Sequence, residues 1–148
     1  MNAAPSSYHQ SISGRIFFQL FAAIEDKCLD RVFTAPIDVQ FTVHDVVEPD
    51  IIVVLAENDI ITESRIQGAP DLVVEILSPS TRKSDEGLKK QLYEQHSVLE
   101  YWIVDPDEKS VHQFLLNEGR TYEAAVILRE RIEFHGAENV SVELTKVW

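Results

Sequence analysis

The stretch Ala69-Pro-Asp-Leu-Val-Val-Glu-Ile-Leu-Ser-Pro-Ser-Thr81 decides how this chain folds. Residues 71–77 are mostly aliphatic and β-branched, which predicts an inner β-strand. Side chains alternate along a strand, so Glu75 should share a face with Leu77. An ionised glutamate among apolar neighbours is costly to bury unless it is paired or bound to a metal ion. Glu75 is therefore a candidate site residue, and the alternative is a core-edge carboxylate paired with Lys or Arg.

Two further polar positions complete a candidate site. Asp50 opens the apolar run 50–55, which predicts a second inner strand, and Lys89 belongs to a predicted helix. Two carboxylates and one ammonium are the minimum set for metal-assisted cleavage of a phosphodiester. Asp85, Lys89 and Tyr93 recur at intervals of one helical turn and should share a helix face. The alternatives are a strand-end role for Asp50 and a surface ion pair between Asp85 and Lys89.

The remaining pattern predicts one α/β domain of the α+β type, spanning residues 1–148, with a mixed β-sheet and flanking helices. Segments 57–59 and 67–70 indicate loops, and Asp105-Pro106-Asp107 indicates a turn. The predicted elements are a helix over 8–27, a strand over 37–43, a helix from an N-cap at Ser84 to about His96, a strand over 99–104, a hairpin of 111–116 and 121–128, and a last strand over 141–147.

Composition limits the class of protein. The chain is 45% apolar and 26% charged and lacks a long apolar run, which indicates a soluble globular protein with no membrane span. The single cysteine, Cys28, excludes an internal disulfide and fits a reducing cytosol. No secretory signal is visible at the N-terminus, so a cytoplasmic location is expected. No zinc spacing connects the histidines His44, His96, His112 and His135.

Three motifs, in this order and spacing, resemble the Uma-two family of putative restriction endonucleases, which is placed in the PD-(D/E)xK nuclease superfamily. They are Pro70-Asp-Leu-Val-Val-Glu-Ile-Leu-Ser-Pro-Ser-Thr81, Asp85-x3-Lys89-x3-Tyr93 and Glu100-Tyr-Trp-Ile-Val-Asp-Pro106. The resemblance covers roughly residues 9–122. It implies a restriction-endonuclease-like mixed sheet flanked by helices, dependence on Mg²⁺ with Mn²⁺ as a substitute, and DNA as the substrate.

The resemblance also implies roles for individual residues. Asp50, preceded by Pro49, matches the first acidic metal ligand and Glu75 the second, with the backbone carbonyl of Ile76 as a further ligand. Leu77 occupies the position that normally holds the motif lysine, and Lys89 on the following helix matches the ammonium. Family members usually carry a longer segment before the region around Ser7, so an N-terminally shortened domain is expected.

Charge counts against a nucleic-acid substrate. The net charge is −12, whereas DNA binding depends largely on Lys and Arg. Arg82, Lys83, Lys89 and Lys90 lie within nine residues and form either a local basic patch or a solvated helix start. The second hypothesis is therefore a catalytically silent nuclease-like fold that acts as an oligomeric binding module. Exposed edge strands predict a homodimer or higher homo-oligomer.

Four residues near the candidate site have other expected roles. Asp71 lies about 13 Å along the strand from Glu75, too far to share one ion, and is expected to fix the turn at Pro70. Lys90 should point about 100° away from Lys89 around the helix. Tyr93 is expected to pack in the core. His9 could approach the site from the first helix, but a histidine at a helix start is more often a surface residue.

Overall fold

A computed structural model describes residues 5–25 and 30–148. The prediction made for Cys28 lies outside the described residues. The elements in chain order are α1 (Ser7–Ile24), β1 (Arg31–Thr34), β2 (Val39–Gln40), β3 (Val46–Val47), β4 (Ile51–Val54), β5 (Ile66–Gln67), β6 (Leu72–Ile76), α2 (Arg82–Glu86), α3 (Leu88–Gln95), β7 (Glu100–Asp105), β8 (Ser110–Leu115), β9 (Val126–Leu128), β10 (Arg131–Glu133), β11 (Ser141–Glu143) and a 3-10 helix (Leu144–Lys146).

The central sheet has six strands in the order β1-β4-β6-β7-β8-β9. Strands β6 and β7 are parallel, and the other neighbouring strands are antiparallel. The sheet is therefore mixed, as the sequence predicts. Both apolar runs predicted as inner strands are internal: β4 lies between β1 and β6, and β6 lies between β4 and β7. Every residue of β4 and β6 is buried, since both strands are covered on both faces.

Alternation along β6 divides the core into two layers. Leu72, Val74 and Ile76 join a cluster that contains the buried face of α1 and the β10–β11 hairpin. Val73 and Leu77 join the opposite cluster, which contains Tyr93 of α3, Tyr101 of β7 and the short sheet β3-β2-β5. Tyr101 and Trp102 of β7 are both fully buried in the core.

Helix α1 is confirmed through Ile24, and the predicted end at Lys27 lies outside the described residues. Its apolar face is formed by Ile12, Ile16, Leu20 and Ile24, at helical spacing. Its first turn is capped by Ser6, whose Oγ accepts a hydrogen bond from the His9 N–H at 3.0 Å. No helix among residues 5–25 and 30–148 combines the length and apolar character needed to cross a membrane.

The second predicted helix is wrong at its start and in its continuity. Helix α2 begins at Arg82 rather than near Ser84, because a turn over Ser78–Thr81 is closed by the Ser78 N–H bond to Thr81 Oγ1 at 3.1 Å. The helix is then interrupted at Gly87, and α3 runs from Leu88 to Gln95. Asp85 and Lys89 nevertheless remain in contact across the interruption.

Several strands also differ from the sequence prediction. The strand predicted over 37–43 is reduced to β2, because the chain turns back after Gln40 and the Phe41 N–H bonds to the Asp45 carbonyl at 2.8 Å. Strand β5 was not predicted and overlaps the predicted loop 67–70 at Gln67; it pairs with β2 and buries Ile66. The last strand ends at Glu143 and pairs with the unpredicted β10. The hairpin of β8 and β9 is confirmed, with a shorter second strand.

Candidate functional site

The register between β4 and β6 brings the two predicted acids together. Ile51 pairs with Val74 in this antiparallel pair. Continuing the register by one residue places Asp50 opposite Glu75, on the same face of the sheet. Directly opposite side chains in a sheet have Cβ atoms about 5 Å apart. Two carboxylates separated by a long loop in the sequence are thus neighbours in the fold.

Asp50 lies at the start of β4 with its carboxylate turned toward the end of β6. Its Oδ2 atom accepts a hydrogen bond from the Ile76 N–H at 2.8 Å. The Ile76 carbonyl faces His9 Nε2 at 3.1 Å, and the same nitrogen lies 3.6 Å from Asp50 Oδ2. The Asp50 carboxylate and the Ile76 carbonyl, two of the predicted ligand groups, therefore both lie next to the His9 ring nitrogen.

His9 reaches the site from the first helix, which the sequence left open although it favoured a surface position. Its side chain is 13% exposed, so the expected surface position is wrong. The reason is tertiary: α1 packs on the face of the sheet that holds Ile76, and its first turn reaches the end of β6. Its Nδ1 atom is buried without a hydrogen-bond partner among the described residues. The signal in the sequence is the Ser6 cap, which fixes His9 in the first helical turn.

Glu75 and Lys89 form a direct ion pair. Lys89 Nζ lies 2.7 Å from Glu75 Oε2 and 3.3 Å from Asp85 Oδ1. The Glu75 and Asp85 side chains are 3% and 1% exposed, whereas Lys89 is 25% exposed. The ammonium therefore bridges two buried carboxylates and keeps part of its surface in contact with solvent. The contact with Asp85 is not the surface ion pair that the sequence left open.

Burial raises the pKa of Glu75 well above its ordinary value, and the negative charges of Asp50 and Asp85 add to this against the opposing effect of Lys89. Burial also raises the pKa of Asp50, against the lowering effects of the Ile76 N–H, His9 and Lys89. Burial acts to lower the pKa of Lys89, but Glu75 and Asp85 outweigh it and raise that pKa. Lys89 is thus held in its charged form among an excess of carboxyl groups.

Tyr93 and Leu77, two further residues named in the sequence analysis, lie on the same side of the sheet as Glu75. Tyr93 is fully buried, as expected for packing, and its hydroxyl also lies 3.5 Å from Glu75 Oε1. Burial, followed by the charge of Glu75, raises the pKa of Tyr93 well above its ordinary value. Leu77 is 4% exposed and belongs to the same cluster as Tyr93. The position of the usual motif lysine is therefore part of the core in this chain.

Half of the local basic patch, Arg82 and Lys89, is paired with acidic side chains. Arg82 donates to both carboxylate oxygens of Asp105, at 3.2 Å each, and contacts Glu86 at 3.3 Å. Lys90 points away from the site, as predicted, and its Nζ lies 4.5 Å from the centre of the Phe114 ring. Arg82 and Lys89 are thus paired with carboxylates, whereas Lys90 contacts an aromatic ring and Lys83 is exposed.

Asp71 binds the turn after β4 through its side-chain carboxylate. Its Oδ2 atom accepts hydrogen bonds from the Leu55 N–H at 2.8 Å and from Asn58 Nδ2 at 3.1 Å. Asn58 in turn donates to the Ala69 carbonyl at 2.9 Å. Asp71 therefore fastens the turn that follows β4 to the start of β6, in line with its expected structural role.

The cluster opens into a cleft of about 1020 Å³. Asp50, Glu75 and Lys89 line it, together with the segments 46–48 and 78–81 and with Ser6 and Ser84. Within the described ranges, no group of three or more His, Cys, Asp or Glu side chains is arranged to hold a metal ion. A cation at this cleft would need backbone carbonyl or water ligands besides the carboxylates.

The mixed sheet flanked by helices defines the class of fold, that of a nuclease-like protein. The crystal structure of a putative nuclease belonging to DUF820 from Anabaena variabilis superposes with a TM-score of 0.81, at 18% identity, over 99% of this chain and 83% of that chain. The family model of Uma2, described as putative restriction endonuclease, matches residues 1–145. The chain belongs to this family, which confirms the resemblance noted in the sequence. A comparison with curated proteins found no match.

Proposed function

We propose that this protein is a Mg²⁺-dependent endonuclease that hydrolyses DNA phosphodiester bonds at the cleft containing Asp50, Glu75 and Lys89. One observation carries the proposal: two carboxylates that are neighbours across β4 and β6, and an ammonium from α3, meet at the wall of an open cleft. The family description and the nuclease-like fold support the same reaction class.

The chemistry of the site fits a hard divalent cation. The Asp50 carboxylate and the Ile76 carbonyl lie close together on either side of the His9 Nε2 atom, and both offer oxygen, the donor that Mg²⁺ prefers. Mg²⁺ commonly uses one or two carboxylates and keeps several waters, so a third acidic side chain is not required. The described residues also place Asp50, Glu75 and Asp85 around Lys89, which leaves an excess of carboxyl groups. A cation bound by Asp50, Glu75 and Ile76 would offset that excess.

Each residue then has a distinct part. A bound cation would lower the pKa of a water ligand and polarise the scissile phosphate. Asp50 is oriented for binding by its hydrogen bond to the Ile76 N–H. Lys89 is held charged and partly exposed to the cleft, where it can orient the attacking water or donate to the phosphate oxygen on which negative charge grows.

Because the chain has a net charge of −12, groups other than Lys and Arg must supply part of the contacts to DNA phosphates. Hydroxyl groups line the cleft, contributed by Ser6, Ser78, Ser80, Thr81 and Ser84. Hydroxyl side chains commonly bind phosphate oxygens of DNA without adding charge. Because Arg82 and Lys90 are engaged elsewhere, we expect weak binding with a shallow dependence on salt concentration.

The test is plasmid cleavage with Mg²⁺ or Mn²⁺ by the unmodified chain and by Asp50→Asn, Glu75→Gln and Lys89→Met. Each variant should lose at least about 100-fold in rate, the scale of removing one group that stabilises transition-state charge. Glu86→Gln is the matched control, because Glu86 is an exposed carboxylate of α2 that contacts Arg82. Cleavage that survives both Asp50→Asn and Glu75→Gln would refute this site.

The second candidate is a catalytically silent nuclease-like fold that acts as a binding module in a homo-oligomer. The buried Leu77 and the pairing of Arg82 with Asp105 favour it, as do Val126 and Ile127, which are about half exposed on the edge strand β9. Calorimetric titration with Mn²⁺ separates the two. Binding that is lost in Glu75→Gln supports the nuclease, whereas a dimer by light scattering without Mn²⁺ binding at millimolar concentration supports the module.

A further inference from the structure

Asp85 is a buried carboxylate that has no role in the proposed reaction. Its side chain is 1% exposed, and neither carboxylate oxygen accepts a hydrogen bond within the described part of the chain. A buried carboxylate without hydrogen bonds is costly, so such a group calls for an explanation. Its charged contact is Lys89 Nζ, at 3.3 Å from Oδ1. The same Nζ atom lies closer, at 2.7 Å, to Glu75 Oε2.

We propose that Asp85 is a positioning residue that receives the Lys89 ammonium when a divalent cation takes Glu75. This inference rests on the proposed function, because it assumes that Glu75 is a metal ligand. A cation bound at Glu75 Oε2 would lie close to the Lys89 ammonium, which is 2.7 Å from the same oxygen, and the two positive charges would repel each other. Without a second acceptor, Lys89 would either compete with the cation for Glu75 or leave the site for solvent.

Lys89 Nζ would have to move only a short distance from Glu75 to Asp85. Lys89 Nζ already lies between the two carboxylates, and the distances of 2.7 Å and 3.3 Å differ by 0.6 Å. A shift of this size needs no change of rotamer in a side chain with several rotatable bonds. After the shift, Asp85 gains the hydrogen bond that it lacks, and Lys89 keeps its charge and its exposure to the cleft.

The backbone of Asp85 is fixed for this role. Its N–H bonds to the Thr81 carbonyl at 2.8 Å, and its carbonyl accepts a hydrogen bond from the buried Tyr101 hydroxyl at 2.8 Å. Asp85 on α2 and Lys89 on α3 are in contact across the interruption of the helix at Gly87. A Cβ atom at Gly87 would lie 2.9 Å from the Lys83 carbonyl, so this close approach requires glycine.

The experiment measures Mn²⁺ affinity by calorimetry for the full chain and for Asp85→Asn, Lys89→Met and the double variant. Asp85→Asn should weaken Mn²⁺ binding roughly tenfold when Lys89 is present, since coupled neighbours interact on this scale. In the Lys89→Met background the same change should have less than about a twofold effect, because no ammonium needs an acceptor. Glu86→Gln removes the adjacent carboxylate of α2 and controls for the loss of one negative charge.

If Asp85→Asn weakens Mn²⁺ binding equally in the unmodified chain and in Lys89→Met, Asp85 acts by charge alone. If Asp85→Asn weakens Mn²⁺ binding in neither chain, Asp85 only supports the fold. Both results overturn the inference. Mn²⁺ binding that is unaffected by Glu75→Gln would instead refute the proposed function. Should Asp85→Asn fail to fold by circular dichroism, a crystal structure of the unmodified chain with Mg²⁺ decides. Lys89 hydrogen-bonded to Asp85 supports the inference, and Lys89 still bonded to Glu75 Oε2 overturns it.

Discussion

Replacing Lys89 by methionine should destabilise the metal-free protein by about 3 kcal/mol. The Nζ atom lies 2.7 Å from Glu75 and 3.3 Å from Asp85. At an effective dielectric constant of about 20, these contacts correspond to roughly 6 and 5 kcal/mol of attraction before desolvation is subtracted. Breaking a buried pair by removing one partner costs about 3–5 kcal/mol. We take the lower end, because Lys89 keeps 25% of its surface exposed.

The assay is thermal and urea unfolding at pH 7 in the presence of a chelator. For a domain of 148 residues, a loss of about 3 kcal/mol lowers the Tm by roughly 6–12 °C. Lys90→Met is the matched control: it removes the neighbouring ammonium, whose contact with Phe114 is worth about 0.5–1 kcal/mol. If Lys89→Met unfolds at the same temperature as Lys90→Met, Lys89 does not balance the buried carboxylates, and the electrostatic argument for the site is wrong.

Two further substitutions, Arg82→Gln and Gly87→Ala, test the contacts that hold α2 next to the site. Arg82→Gln should cost about 1 kcal/mol at pH 7, because it removes a two-point pair that is partly exposed. Although burial raises the pKa of Asp105, its bonds to Arg82 and to backbone N–H groups outweigh burial and lower it, so this stability is present above pH 3.8 and is lost as the pH falls further. Urea unfolding at several pH values should show the two proteins converging in acid, and a difference that grows in acid would contradict this. Gly87→Ala should cost about 1–3 kcal/mol in urea unfolding through the close carbonyl contact, and a neutral or stabilising effect would show that α2 can shift freely.

Local patterns in the sequence were sufficient for much of the fold. Alternation and β-branched content identify β4 and β6 as inner strands, and the spacing of Ile12, Ile16, Leu20 and Ile24 identifies α1. These signals are local, since each depends on side chains a few positions apart on one element. The alternation over 37–43 overestimated the length of β2, and β5 was missed, because the extent of both strands depends on their pairing with each other.

The same distinction applies to the site. Glu75 was identifiable as a carboxylate inside an apolar strand, and Lys89 by its place on the helix that follows. The position of Arg82 was not identifiable, and for His9 the sequence left an approach to the site open but favoured the surface. His9 reaches the end of β6 only because α1 packs on the sheet, and Arg82 is held by Asp105 at the end of β7. Contacts between residues far apart in the chain leave no periodic trace in either segment.

The sequence by itself determined the chemistry that is available: a buried glutamate, an acid that opens the neighbouring strand, a lysine one helix later, and the absence of the usual lysine at Leu77. The tertiary structure decided which of these groups meet. Strand register sets Asp50 opposite Glu75, and the interrupted helix sets Asp85 on the far side of Lys89. The reason is physical: side-chain type follows from the chain alone, whereas distance, burial and the balance of charge depend on how separate elements pack.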